Sequence, residues 1–227
     1  MVKISIKLDI NKDAWNWWHA CNHISHGVDW KKRIESNLWK NIYQKKFSEA
    51  EKYLLPYLNN YYRENKLNLS KVLEDARELF DKKASQACQL MERITKRKLY
   101  RDNFICFLTT FPRCPYDYKN GYVWLCSLWS TKCYLGIFIH ELLHFQFFKY
   151  YRDNQLVKKL DNNQLEKLKE SMTVILNHDF IDYMCQKDKG YEIHKNFRKT
   201  IDNFWQENGN FEELVEFGAR ELLNNKF

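Results

Sequence analysis

Six glycines and three prolines are the whole supply of chain breakers in 227 residues. So few favour long helices and disfavour a sheet-rich fold built on many tight turns. The length lies a little above one usual domain and below a comfortable two. Hydrophobic residues make up 44% of the chain and aromatic residues 16%, which is enough for a packed core and argues against disorder. The expectation is a single domain over 1–227, with a mainly helical portion at 1–101 and a second portion at 102–227.

Residues Val2–Asp9 alternate apolar and polar side chains, the period of a strand. Asn11 or Asp13 can cap a helix carrying Trp15, Trp17 and Trp18, ended by the turn at Ser25–Gly27, and Asp29 can cap the next. Phe47–Arg101 keeps a helical pattern, with Ser70 as an N-cap and apolar residues from Val72 to Ile94 at 3.6-residue spacing. The character changes at Phe104. Phe104–Thr110 and Tyr122–Trp129 are β-branched and aromatic runs separated by Pro112, Pro115 and Gly121, which predicts two neighbouring antiparallel strands joined by Val2–Asp9. Helical runs follow at Thr131–Tyr151, Asp161–Asn177, His194–Gln206 and Phe211–Asn224.

The net charge of +8 raises the question of acidic partners. The cations are interspersed with Asp and Glu, clustering only at Lys31–Arg33 and Lys96–Arg101, so solvated helix faces account for them and nucleic acid is not expected as a partner. Seven cysteines without a CxxC spacing argue against a disulfide framework and a cysteine zinc knuckle. Neither a secretory signal nor an apolar stretch of membrane-spanning length is visible, so a cytoplasmic protein with no membrane association is expected.

The chemistry concentrates at His140-Glu141-Leu142-Leu143-His144. Residues i and i+4 share one helix face, so both imidazoles can reach one ion at about 2.0–2.1 Å. Glu141 lies about 100° round the helix, placed to take a proton from a water activated by the metal and pass it to a leaving amine. Ile137–Ile139 before the motif, and Leu142, Leu143, Phe145, Phe147 and Phe148 within and after it, mark a buried helix, where uncompensated polar groups are costly. A metal explains their presence together. His19 and His23 share the i, i+4 spacing, but no carboxylate lies between them in this manner and the helix is packed with tryptophan.

A catalytic zinc takes three protein ligands and keeps one position open. A third histidine six residues beyond His144 is ruled out, because Tyr150 stands there and Phe147 replaces the glycine such a motif needs. A glutamate on the following helix is the other source. Glu170 has 25 residues between it and His144, room for a loop and a returning helix. Glu166 is the rival one turn earlier, but it is flanked by polar residues, whereas Met172, Val174 and Ile175 put the Glu170 turn towards a core.

Together, His140–His144, the helix Lys169–Asn177 and the strand-rich segment before them resemble the gluzincin metallopeptidases over about Phe104–Asn177. The resemblance implies an α+β, zincin-like fold: a small, mostly antiparallel sheet, an active-site helix and a glutamate helix, here with an extra helical N-terminal portion. It implies Zn2+ held by His140, His144 and Glu170, a peptide or protein substrate, and a strand, here Tyr122–Leu128, that binds the substrate in β fashion. It also implies an aspartate four residues after the glutamate ligand to orient a histidine, and Val174 stands there instead. Thr173, Asn177 or a more distant residue then has to do that work.

Hydrolysis further needs a donor to the oxyanion. Tyr191 and His194, after the turn at Gly190, are the candidates, with Tyr183 and His178 behind them. The expected activity is zinc-dependent peptide-bond hydrolysis with Glu141 as general base. The alternatives are a zinc- or partner-binding protein without catalysis, and a dedicated peptidase of one regulatory protein.

Overall fold

The computed structural model describes residues 2–25 and 27–224. The fold is α+β, mostly helical, with one small mixed sheet. It divides into two compact units, the first mainly Lys82–Asp102 and Leu135–Phe227, the second Lys3–Asp81 and Asn103–Tyr134.

The second unit holds the sheet. Its four strands, β1 (Lys3–Leu8), β4 (Asn103–Thr109), β5 (Tyr116–Asp117) and β6 (Tyr122–Cys126), lie in the order β1-β4-β6-β5. β1 and β6 both pair parallel to β4, and only β5 and β6 are antiparallel. The expected antiparallel pairing of the two apolar runs is therefore wrong. The segment after β4 is no simple turn. It contains β5, which takes the reverse direction and returns through Gly121 (φ 70°) into β6, leaving β6 parallel to β4. Nearly all of β4 and β6 is buried, the pattern of parallel strands covered on both faces. Nor is β6 a free edge for substrate. β4 occupies one side, and on the other Tyr122 and Val123 pair with β5 while the Trp124 amide donates to Pro115 O at 2.9 Å.

Helix α1 (Ile10–Cys21) is capped by Asp9, whose Oδ1 accepts from the amides of Asn11 and Lys12. Asp13, expected as a cap, is fully buried instead. Its Oδ1 accepts from Thr109 Oγ1 (2.6 Å) and the Thr110 amide (3.0 Å), and its Oδ2 from Thr110 Oγ1 (2.8 Å) and Tyr62 Oη (3.2 Å). Three of these donors fasten α1 to the end of β4, and the fourth, Tyr62, comes from the helix Phe47–Glu64. After α1 the two-residue strands β2 (Ile24–Ser25) and β3 (Val28–Asp29) pair antiparallel, and His26, within the expected turn at Ser25–Gly27, lies outside the described residues. Helices α2 (Ser36–Ile42) and α3 (Phe47–Glu64) pack on α1 through Ala14, Ala20, Ile42, Ala50, Leu54 and Leu58, with Trp17, Trp18 and Trp39 around them. Helix α4 (Lys66–Thr95) starts ahead of the expected cap at Ser70.

The first unit holds α5 (Tyr134–Tyr150), α6 (Asn162–Met172), α7 (Leu176–Asp179), α8 (Lys195–Asn208) and α9 (Phe211–Leu223). A capping box between Asp161 and Gln164 starts α6, and Gly209 (φ 61°) ends α8. Gly218 of α9 lets Leu168 and Ile201 close in: a Cβ there would lie 2.5 and 2.9 Å from their Cδ1 atoms. Phe138, Ile139, Leu142, Leu143, Phe145 and Phe147 of α5 are all 1% exposed or less. Among the described residues no helix is long and apolar enough to cross a membrane. Cys21, Cys88, Cys106, Cys114 and Cys126 are thiols, in keeping with the absence of a cysteine framework, while Cys133 and Cys185 are each in a disulfide.

Candidate metal centre

Every side chain of the centre comes from the first unit. On α5, the one-turn spacing brings His140 Nε2 and His144 Nε2 to 3.0 Å, with the rings edge to face. His140, Glu141 and His144 offer ligand atoms all within 4.8 Å of one another, and among the described residues they form a group able to hold a metal ion. Glu170, near the end of α6, turns towards the same point: Oε1 is 3.4 Å from His144 Nε2 and Oε2 is 3.8 Å from His140 Nε2. Glu166, the rival, is 45% exposed and pairs with Lys169 at 2.6 Å.

A residue absent from the sequence reading completes the surroundings. Asp188, on the loop after α7, has Oδ2 3.1 Å from His140 Nδ1. The loop is tightly held. Asn177 and Asp188 exchange two hydrogen bonds, Nδ2 to O at 2.9 Å and N to Oδ1 at 2.7 Å. Arg198 of α8, 5% exposed, donates to the carbonyls of Asp188 and Glu170 and to Thr173 Oγ1, and pairs with Asp188 Oδ2 at 3.3 Å. Thr173 and Asn177, named as possible supports, thus act through Arg198 and Asp188. A loop aspartate carries no periodic signal; the only hint was a polar turn before Gly190, which sits at φ 62°.

The charges are strongly coupled. Burial disfavours the charged form of His140, but Asp188, Glu170 and Glu141 overcome it and hold its pKa well above the ordinary value. His144 is pulled down to about 4, first by burial and then by its neighbouring cations, with Glu170 opposing. Two imidazoles 3.0 Å apart cannot both carry a proton comfortably, and the one facing Asp188 keeps it. Burial lifts Glu141 to about 7, with the charge of Glu170 adding and His140 opposing. Burial also works against ionisation of Glu170, yet His144, His140 and Lys169 hold it well below the carboxylate range.

The donor set fits a metal. Ligand atoms on a tetrahedral ion at about 2.0–2.1 Å stand roughly 3.3 Å apart, close to the 3.0 Å between the two Nε2 atoms and comparable to the 3.8 Å from His140 Nε2 to Glu170 Oε2. Glu141 Oε2 is buried and has no hydrogen-bond partner, an arrangement that costs free energy unless something fills it. His140 is 23% exposed, so the cluster is reachable from outside.

The other expected residues lie as follows. Tyr191 and His194 sit edge to face, centroids 6.1 Å apart, in the turn just after Asp188, and His194 is buried. His178 pairs with Asp202 at 2.6 Å. In the second unit His19 Nδ1 is 2.8 Å from Arg113 Nη1, and burial, with Arg113 and His23 adding, lowers its pKa to about 4. That nitrogen is engaged by a cation.

No protein-family model, curated protein or solved structure matches the chain.

Proposed function

We propose that the chain is a zinc-dependent hydrolase of peptide bonds, of the gluzincin type. The observation that carries this reading is the convergence of two imidazole nitrogens and a carboxylate beside Glu141, whose buried Oε2 has no partner. His140, His144 and Glu170 would hold the ion, a donor set that zinc takes in catalytic sites. Bound there, zinc supplies a Lewis acid that acidifies a water and polarises a carbonyl.

The chain's own residues do the rest. Glu141, buried and held on the rigid α5, takes the proton of the attacking water and returns it to the leaving amine. Asp188 accepts from Nδ1–H of His140, which leaves Nε2 free to ligate and fixes the ring's direction. Arg198 and Asn177 keep Asp188 in place. Tyr191 or His194 donates to the oxyanion from the turn that follows. The substrate is a peptide or protein.

The test is cleavage of a diverse peptide library by the wild type and by Glu141→Gln, read by mass spectrometry, with zinc measured in both. Cuts by the wild type alone at equal zinc content are expected. Equal cutting by both proteins would remove Glu141 from the mechanism, and zinc in both without cuts would favour a binding protein.

A further inference from the structure

The glutamate helix brings a cation to the cluster as well as a ligand. The Lys169 side chain is only 3% exposed. Its Nζ lies 3.2 Å from Glu170 Oε1, 2.6 Å from Glu166 Oε2, and 5.6 Å from the Phe148 ring centroid. Neighbouring residues on a helix point about 100° apart. The two charged heads meet because the lysine stem turns back across the carboxylate and does not run out to solvent. A buried ammonium is costly unless paired, so this placement is specified by both glutamates.

We propose that Lys169 is a positioning residue for the metal. It occupies Oε1 of Glu170, so that the carboxylate gives the ion Oε2 and a coordination position stays open. The inference rests on the metal assignment of the preceding section. Glu166 sets the strength of the effect, because it shares the ammonium: the more firmly Glu166 holds Lys169, the less Lys169 draws on Glu170. Charge fixes the sign. A cation on a ligand oxygen competes with the metal for that carboxylate, so removing the cation strengthens the ligand.

Lys169→Met should therefore bind metal about ten-fold more tightly, since a cation competing for the carboxylate is removed, and its cobalt form should show weaker visible absorption as Glu170 closes on the ion with both oxygens. Glu166→Gln, at a half-exposed position, should bind metal several-fold more weakly, since the ammonium then bears more strongly on Glu170. A lysine with a merely structural role predicts the opposite for Lys169→Met: a loosened α6 and weaker binding. The experiment is competition for Zn2+ with a chromophoric chelator, together with Co2+ spectra, on the wild type and both variants, with far-ultraviolet circular dichroism as a check on folding. Unchanged or weaker binding by Lys169→Met and unchanged binding by Glu166→Gln, in a wild type that binds both ions, would overturn this inference alone. A wild type that binds neither ion would overturn the proposed function with it.

Discussion

Replacing Asp13 by asparagine should stabilise the protein at neutral pH, although Asp13 accepts four hydrogen bonds, three of them buried. Burial pushes its carboxyl from 3.8 to about 6, against the opposing donors Thr109, Thr110 and Tyr62. The sign follows from which state holds the proton more tightly. Between about pH 4 and 6 the folded chain binds the proton and the unfolded chain releases it, so stability falls as pH rises across that window. At about 1.36 kcal/mol per pH unit the interval is worth about 3 kcal/mol. Asparagine mimics the protonated acid. Its carbonyl can accept from the Thr110 amide and the Thr109 hydroxyl, and its amide can donate to the Thr110 and Tyr62 hydroxyls once these rotate. The assay is urea unfolding of the wild type and Asp13→Asn from pH 4 to 7. Other titrating groups cancel in the difference between the two proteins. Over that range the difference should move by about 2–2.5 kcal/mol in favour of the variant as pH rises, since part of the change is already complete at pH 4. A difference flat to within about 0.5 kcal/mol would refute the argument, and would mean that the four donors offset the burial of the charge.

Asp188→Asn should weaken zinc binding about 10–100-fold, read by chelator competition, because His140 loses the carboxylate that orients it. Asp161→Ala removes the capping box ahead of α6 and should cost about 1 kcal/mol in a thermal melt, without changing metal stoichiometry. Gly218→Val forces side chain against Leu168 and Ile201 and should cost about 1–3 kcal/mol by denaturant unfolding.

What the sequence disclosed depended on whether spacing alone carried the information. The helix at His140–His144 was legible because i, i+4 geometry is mechanical and the surrounding residues are apolar. The facing of Glu170 was legible because its turn is apolar while that of Glu166 is not, and the structure puts Glu166 on Lys169 and Glu170 on the histidines. Strand direction was not legible, since it depends on where the chain travels between β4 and β6, and the two-residue β5 that decides this is too short to read. The unbroken apolar character of both runs was the available sign of parallel pairing. Asp188 and Arg198 were missed for a related reason: a loop aspartate and a helix arginine become a clamp only when folding brings the loop after α7 against α5 and α8.

The parallel pairing of β1 with β4 also sets a timetable for synthesis. Lys3 pairs with Asn103 and Leu8 with Leu108, so each β1 residue waits for one made a hundred positions later. At roughly 5–20 residues per second that is a delay of roughly 5–20 s on the ribosome. Through that interval β1 is a lone strand with unmet backbone groups, and α1 lacks Thr109 and Thr110, which anchor Asp13. The nascent chain, more than the finished protein, is then the state open to edge-to-edge association.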